Sequence, residues 1–231
     1  MAIVDAQPSR KRRAYAARVP ASQRRGQLLD AALHLVVTRG HTAVTMEAVA
    51  EQIGVTKPVV YSQFASRAEL LAELLRREQE QAIGQLAGLG LELAPGEHPA
   101  ELVARLLAGY LGLVRDNPDR WHCIVMPMSD MPVEFHAARE QARAAVLARA
   151  VELADRLNRA TCGADTGLDT EIAGHAMVAL FEMAARLVLA DPEHFAPARF
   201  VSALSATLTR GDEQGDRAVA AAAQPGPAQP R

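Results

Sequence analysis

Apolar residues recur along this chain at the spacing of α-helices. Leu28, Ala31, Ala32, Leu35 and Val36 form one stripe of a helix that Gly40 is placed to end. Met46, Val49, Ala50 and Ile53 repeat the pattern in a shorter unit, with Thr45 as its cap and Gly54 as its stop. Ser66 and Glu69 make a capping-box pair at the head of a long helix reaching about Gly88. Residues 88–98 read as a loop, and Pro99 suits the first turn of a helix to about Asp116. Asn117 and Pro118 punctuate its end, before a short segment from Trp121 to Met126. Pro132 opens a helix to about Asn158, 161–169 is a loop, and helices over 169–190 and 197–210 are separated by Asp191 and Pro192. No period-two run of β-branched residues interrupts this pattern, so the expected fold is all-α.

The two ends do not share the pattern. Residues 1–21 mix Pro, Ser and Arg and read as a disordered basic arm carrying Arg10, Lys11, Arg12, Arg13 and Arg18. Residues 211–231 are biased to Ala, Pro and Gly and read as a disordered tail. The expected division is therefore an arm (1–21), a unit of short helices (22–66), a larger helical unit (67–210) and the tail.

Charge changes the picture only through its distribution. The net charge is -2, yet up to Arg67 there are ten Lys or Arg against four Asp or Glu, and fifteen against twenty-three beyond it. A basic head on an acidic body suits a DNA-reading domain joined to a different module. The two cysteines, Cys123 and Cys162, have no paired spacing, so neither a disulfide framework nor a zinc site is expected. No leader pattern and no uninterrupted apolar run of membrane-spanning length was found, which points to a cytoplasmic protein without a membrane partner.

Residues 45–64 carry the chemistry. Two short helices can cross steeply over a tight turn when the inner contact is small and the turn residue tolerates positive φ, and Ala50 and Gly54 supply both conditions. Ile53, Val55, Val60 and Phe64 would close the small core. Thr56 would cap the second helix, leaving Lys57, Pro58, Val59, Tyr61, Ser62 and Gln63 on or near its outer face. Lys57 can donate to guanine, Gln63 can pair with adenine or a phosphate, and Pro58 and Val59 can pack on thymine methyls. Thr45, Tyr61 and Arg67 are placed to hold phosphates. A plain helical hairpin would share the Ala50 and Gly54 pair. The basic arm could enter a minor groove or attract the DNA backbone without reading bases, and the second role is preferred.

The stretch from Gln27 to Leu71 resembles the N-terminal domain of TetR-family (tetracycline-repressor-like) regulators. The resemblance rests on Ala31, Ala32, Gly40, Thr45, the block from Ala50 to Tyr61, Phe64 and the run from Ser66 to Leu71. It implies three DNA-reading helices, with 46–53 and 57–63 as the helix-turn-helix. It also implies DNA-facing positions for Thr45, Thr56, Lys57, Pro58, Tyr61, Gln63 and Arg67, the last standing where the family commonly has lysine.

For the remainder the resemblance implies only a helical domain that dimerises through two late helices and encloses a ligand pocket. Ile172 to Ala190 is apolar nearly all round, and Phe200, Val201, Leu204 and Leu208 give the next helix a stripe that could complete a four-helix interface. Trp121, Met126, Met128, Met131, Phe135, Met177, Phe181 and Met183 could line an apolar pocket, with His122 and His175 as polar handles; plain core packing is the preferred reading of any one of the former, and a satisfied core or surface group that of either histidine. No nucleophile-elbow, phosphate-loop or zinc-helix motif occurs, so neither an enzyme nor a cofactor is expected. The expected function is a homodimeric repressor that leaves a palindromic double-stranded operator when an apolar small molecule binds, with activation also open. An all-α scaffold without DNA contact is the alternative.

Overall fold

A computed structural model describes residues 20–126, 133–162 and 168–207, and among them every regular element is helical. The order is α1 (Ala21–Arg39), a single 3-10 turn (His41–Ala43), α2 (Met46–Gln52), α3 (Lys57–Tyr61), α4 (Arg67–Ala87), α5 (Pro99–Asp116), α6 (Pro118–Val125), α7 (Val133–Cys162), α8 (Thr170–Ala190) and α9 (197–207). The expected disordered tail and nearly all of the arm, together with Met128, Met131, Pro132 and Leu208, lie outside the described residues. Ala21, assigned to the arm from sequence, is already helical.

The ends of these helices follow local chemistry. Gly40, at φ 80°, ends α1 and donates its N–H to the Val36 carbonyl. Thr45 caps α2 by accepting from the Ala48 N–H at 3.0 Å, and Ser66 caps α4 by accepting from Glu69 N–H at 3.1 Å. Glu69 reaches back one residue farther than a capping box requires, to the Ala65 N–H at 2.7 Å. The α5 start is a true capping box of His98 and Glu101, with Pro99 in the first turn. Helix α7 continues past Asn158 to Cys162, since no breaker stands before Gly163.

Two cores result. The first joins α1, α2, α3 and the front of α4 around Leu28, Leu35, Val49, Val60, Phe64 and Leu74. The second gathers Ala82 of α4, Leu107, Tyr110 and Leu111 of α5, Trp121 and Val125 of α6, and Ala184, Ala185 and Val188 of α8. Helix α4 thus feeds both cores from its two halves. Helix α6 does so within two turns, because Cys123 points into the first core while Trp121 and Val125 point into the second.

Helices α7 and α8 pack so closely that a Cβ on Gly174 would lie 2.9 Å from the Val151 Cα. Helix α8 is long and apolar enough to cross a membrane by length and composition, although Glu182 and Arg186 interrupt its apolar run. Its charged groups are used internally: Arg143 of α7 donates to Glu182 at 3.0 Å, and α8 packs on α5, α6 and α7. The loop before α5 is stapled by Arg105, which donates to Glu97 and to the Gly90 and Glu92 carbonyls. That guanidinium, together with the Ala94 N–H, pulls the Glu97 carboxyl down to about 2.

Candidate nucleic-acid interface

The α2–α3 unit is built as the steric argument requires. Ala50 is buried at the crossing, Gly54 takes φ 67°, and the Val55 N–H returns to the Ala50 carbonyl at 2.9 Å. Val60 and Phe64 are fully buried beneath, with Ile53 and Val55 half-buried beside them. This arrangement aims one side of α3 outward: Thr56, Lys57, Pro58, Tyr61 and Ser62 are exposed, while Val59 and Gln63 are half-buried. Tyr61 keeps 49% of its surface open, unusual for an aromatic on so small a unit. Lys57 reaches Glu47 of α2 only at 4.0 Å, so its ammonium stays available on the surface.

Three details differ from the sequence expectation. Thr56 makes no side-chain cap on α3. The reason is local: Pro58 has no N–H to offer, and the Val59 N–H is already bonded to the Thr56 carbonyl at 2.9 Å. Helix α3 stops at Tyr61, and Ser62 and Gln63 form the turn that lets Phe64 bury and Ser66 cap α4. The Ser62 hydroxyl donates to its own helix, at the Val59 carbonyl. Arg67 does not extend toward the outer face; its Nε and Nη2 donate to the Val44 and His41 carbonyls at 2.6 and 2.7 Å. It holds the loop before α2, so a direct phosphate contact would require giving up both bonds.

Sequence reasoning passed over Arg25 and Glu73. Arg25 of α1 lies over the Phe64 ring at 4.1 Å, donates to the Gln63 carbonyl and makes a two-pronged pair with Glu73 of α4, one prong at 2.7 Å. One guanidinium therefore fixes the exit of α3 against both neighbouring helices. The pairing raises the Arg25 pKa, and the hydrogen bond from Arg25 holds Glu73 below the ordinary carboxylate range. The available signal was weak: Arg25 sits among six other polar or small residues at the start of α1.

A buried carboxylate was missed as well. Glu78 is 1% exposed, held by Arg77 at 2.7 Å and by Arg120 at 3.0 Å, and Arg77 also reaches Asp30 of α1. Its position offered a clue, because Glu78 falls on the stripe of Leu70, Leu71, Leu74, Leu75 and Ala82.

The expected pocket residues are scattered. Trp121 is buried, Phe181 and Met177 are half-buried on the inner clusters, and Met126 is half-buried. His175 and Met183 are exposed, whereas Phe135 lies in α7 with its side chain outside the described residues. Tyr110 packs edge-on to Trp121 with centroids 5.0 Å apart and stacks on Phe181 at 5.5 Å. A separate cleft of about 440 Å³ lies between Leu91, Glu92 and the Arg149 to Arg159 face of α7, and it is lined mainly by charge.

Residues 28–74 match the family model described as bacterial regulatory proteins, tetR family. The structure also aligns with a TetR-like transcriptional regulator from Rhodococcus sp. RHA1 at a TM-score of 0.66 and 27% identity, covering 84% of this chain and 98% of that one. The helix-turn-helix segment of this chain is therefore similar to that of tetR-family regulators. Over 66 residues it is 42% identical to the HTH-type transcriptional activator FasR of Mycolicibacterium smegmatis, a match covering 29% of this chain and 30% of FasR. The fold is shared with FadR of Bacillus subtilis in complex with stearoyl-CoA, at a TM-score of 0.63 and 15% identity, with 79% of this chain and 96% of that one covered.

Proposed function

We propose that this protein is a sequence-specific DNA-binding transcriptional regulator of the tetR family that works as a homodimer. The exposed outer side of α3, carrying Lys57, Pro58 and Tyr61 on a clamped base, is the observation that carries this reading. Lys57 donates to a base edge and the Tyr61 hydroxyl holds a phosphate; Thr45, Thr56, Val59, Ser62 and Gln63 complete the DNA-facing surface. Arg67 acts through the loop it grips.

Dimerisation is supported by the outer stripe of α8. Ile172 is 63% and Met183 41% exposed, and Ala176 and Ala179 between them leave the backbone accessible to a second helix. Such a stripe is self-complementary under two-fold symmetry, and it would set two copies of α3 about 34 Å apart on a palindromic operator. Phe200 and Leu204 of α9 pack on their own second core, so α9 would contribute its remaining face.

The repressor reading has DNA held by the free dimer and released when a small apolar molecule enters the second core. Helix α6 is suited to transmit that event, because it touches both cores and grips Glu78 through Arg120. A coupling of about 1–3 kcal/mol would suffice for a useful response. The match to a protein named an activator favours a second reading, in which the same DNA-bound dimer raises transcription. Such a regulator would work in the cytoplasm.

Selection of random duplexes by the purified protein tests the proposal. The expected winner is a palindrome bound by a dimer with a steep salt dependence. Transcription from a template carrying that site then separates repression from activation. Failure of a folded, dimeric protein to enrich any sequence would favour a scaffold without DNA contact.

A further inference from the structure

Helix α3 is five residues long, Lys57–Tyr61, and a helix that short is not stable alone in water. Its pose is set by whatever grips its two ends. At the start, Gly54 makes the turn and the Val55 N–H returns to the Ala50 carbonyl at 2.9 Å, which ties that end to α2. At the exit the tie comes from a different helix. Arg25 of α1 donates from Nη1 to the Gln63 carbonyl, two residues beyond Tyr61, and its guanidinium lies over the Phe64 ring at 4.1 Å.

The guanidinium is itself held in place. Its Nε and Nη2 donate to the two oxygens of Glu73 on α4, the first at 2.7 Å. Glu69, 3.7 Å from the same guanidinium, accepts from the Ala65 N–H at 2.7 Å, and Ser66 accepts from the Glu69 N–H at 3.1 Å. The whole turn from Gln63 to Ser66 is thus anchored on one cluster. Two carboxylates flank one arginine, so the spot repels phosphate, and three N–H donors of Arg25 are already used. Arg25 is poorly placed to bind DNA and well placed to orient the residues that do.

We propose that Arg25 and Glu73 are a positioning pair for DNA reading: they fix the angle of α3 so that Lys57 and Tyr61 meet a base edge and a phosphate together, and neither touches DNA itself. The proposal rests on the regulator reading above and adds to it two residues that act from behind the reading surface. Side chains that must bind through several contacts at once need supporting groups that hold them to within about 0.5 Å. A planar fork bonded on three sides gives that support, whereas a lysine ammonium in its place could not span the same partners.

Arg25→Lys and Glu73→Gln are compared with the parent on the palindrome that the parent selects and on a random-sequence duplex. Each variant is expected to lose about tenfold on the palindrome, equivalent to about 1.4 kcal/mol. On the random duplex each should stay within about twofold, because non-specific binding follows charge and not pose. Glu73→Gln gives the sharpest sign: removing a negative charge tightens DNA binding if electrostatics alone act, and weakens it if the pose of α3 is lost. The double variant should lose no more than either single one, as partners in one interaction do. Tighter palindrome binding by Glu73→Gln, parental affinity in Arg25→Lys, or equal losses on both duplexes would each overturn the proposal. A second arm needs no DNA. The N–H groups of Ser62, Gln63 and Phe64 close the end of α3 on the Pro58 and Val60 carbonyls. Their hydrogen exchange should speed up about tenfold in Glu73→Gln while the Val49 N–H of α2 keeps its parental rate. Unchanged exchange at 62–64 would also overturn the proposal. A parent that selects no palindrome strikes the regulator reading, and the exchange arm still decides whether the pair holds α3.

Discussion

Arg120 of α6 donates its Nε to one oxygen of the Glu78 carboxylate at 3.0 Å, while Arg77 of α4 holds the other oxygen at 2.7 Å. The same Arg120 reaches Asn117 and Gln81, and Arg77 reaches Asp30 of α1. Three helices from both halves of the molecule thus converge on one buried carboxylate. Removing one partner of such a group leaves uncompensated charge, the costly case for buried ion pairs.

Glu78→Ala is therefore expected to destabilise the fold by about 2–4 kcal/mol, toward the lower end because both arginines retain some solvent contact. Urea unfolding followed by circular dichroism checks this. A midpoint unchanged from the parent would show that the cluster is not a structural joint. Glu80→Ala, removing an exposed carboxylate paired only with Arg76 one turn away, is expected to change stability by less than about 0.5 kcal/mol.

Two glycines make opposite cases. Gly174→Ala would drive a methyl into the Val151 backbone, which cannot yield as a flexible side chain can. A loss of about 2–3 kcal/mol is expected from such overpacking. Gly112 lies inside α5 with open space where its Cβ would stand, so Gly112→Ala should gain about 0.5–1 kcal/mol through reduced unfolded-state freedom. Thermal unfolding of the two variants should move in opposite directions; equal shifts would contradict the packing described.

The Arg25–Glu73 pair carries a pH dependence. Glu73 is held below its ordinary value of 4.5, chiefly by the hydrogen bond from Arg25, so its contribution is present above that value. It is lost as pH falls through the depressed value. Glu73→Gln should remove this part of the acid-unfolding limb at a cost near neutral pH of about 0.5–1.5 kcal/mol, modest because the pair is partly exposed. Acid titration of stability for parent and variant checks it, and parallel curves would contradict the assignment.

The legible features were those with a local cause. Gly40 and Gly54 carry positive φ at the helix ends where a glycine was required, and Thr45 and Ser66 cap the helices that their positions announced. The contact of Tyr110 with Trp121, eleven residues on, was not legible, because it depends on how α5 and α6 turn at Asn117. Arg67 illustrates the same limit. Its charge and position suggested a phosphate contact, but the fold brings two loop carbonyls within its reach. Glu78 stands on the apolar stripe of α4 and Glu80 off it, a legible difference; that Arg77 and Arg120 converge on Glu78 depends on helix crossing and was not.

The most direct test of the central claim is to repeat the duplex selection with Lys57→Ala beside the parent. If α3 reads the major groove, both proteins should enrich palindromes of the same spacing. The variant should lose preference at a single base pair, repeated symmetrically in each half-site, with a discrimination loss of about 1–3 kcal/mol. An unaltered motif bound with unaltered discrimination would contradict the placement of Lys57 on the DNA and, with it, α3 as the reading helix.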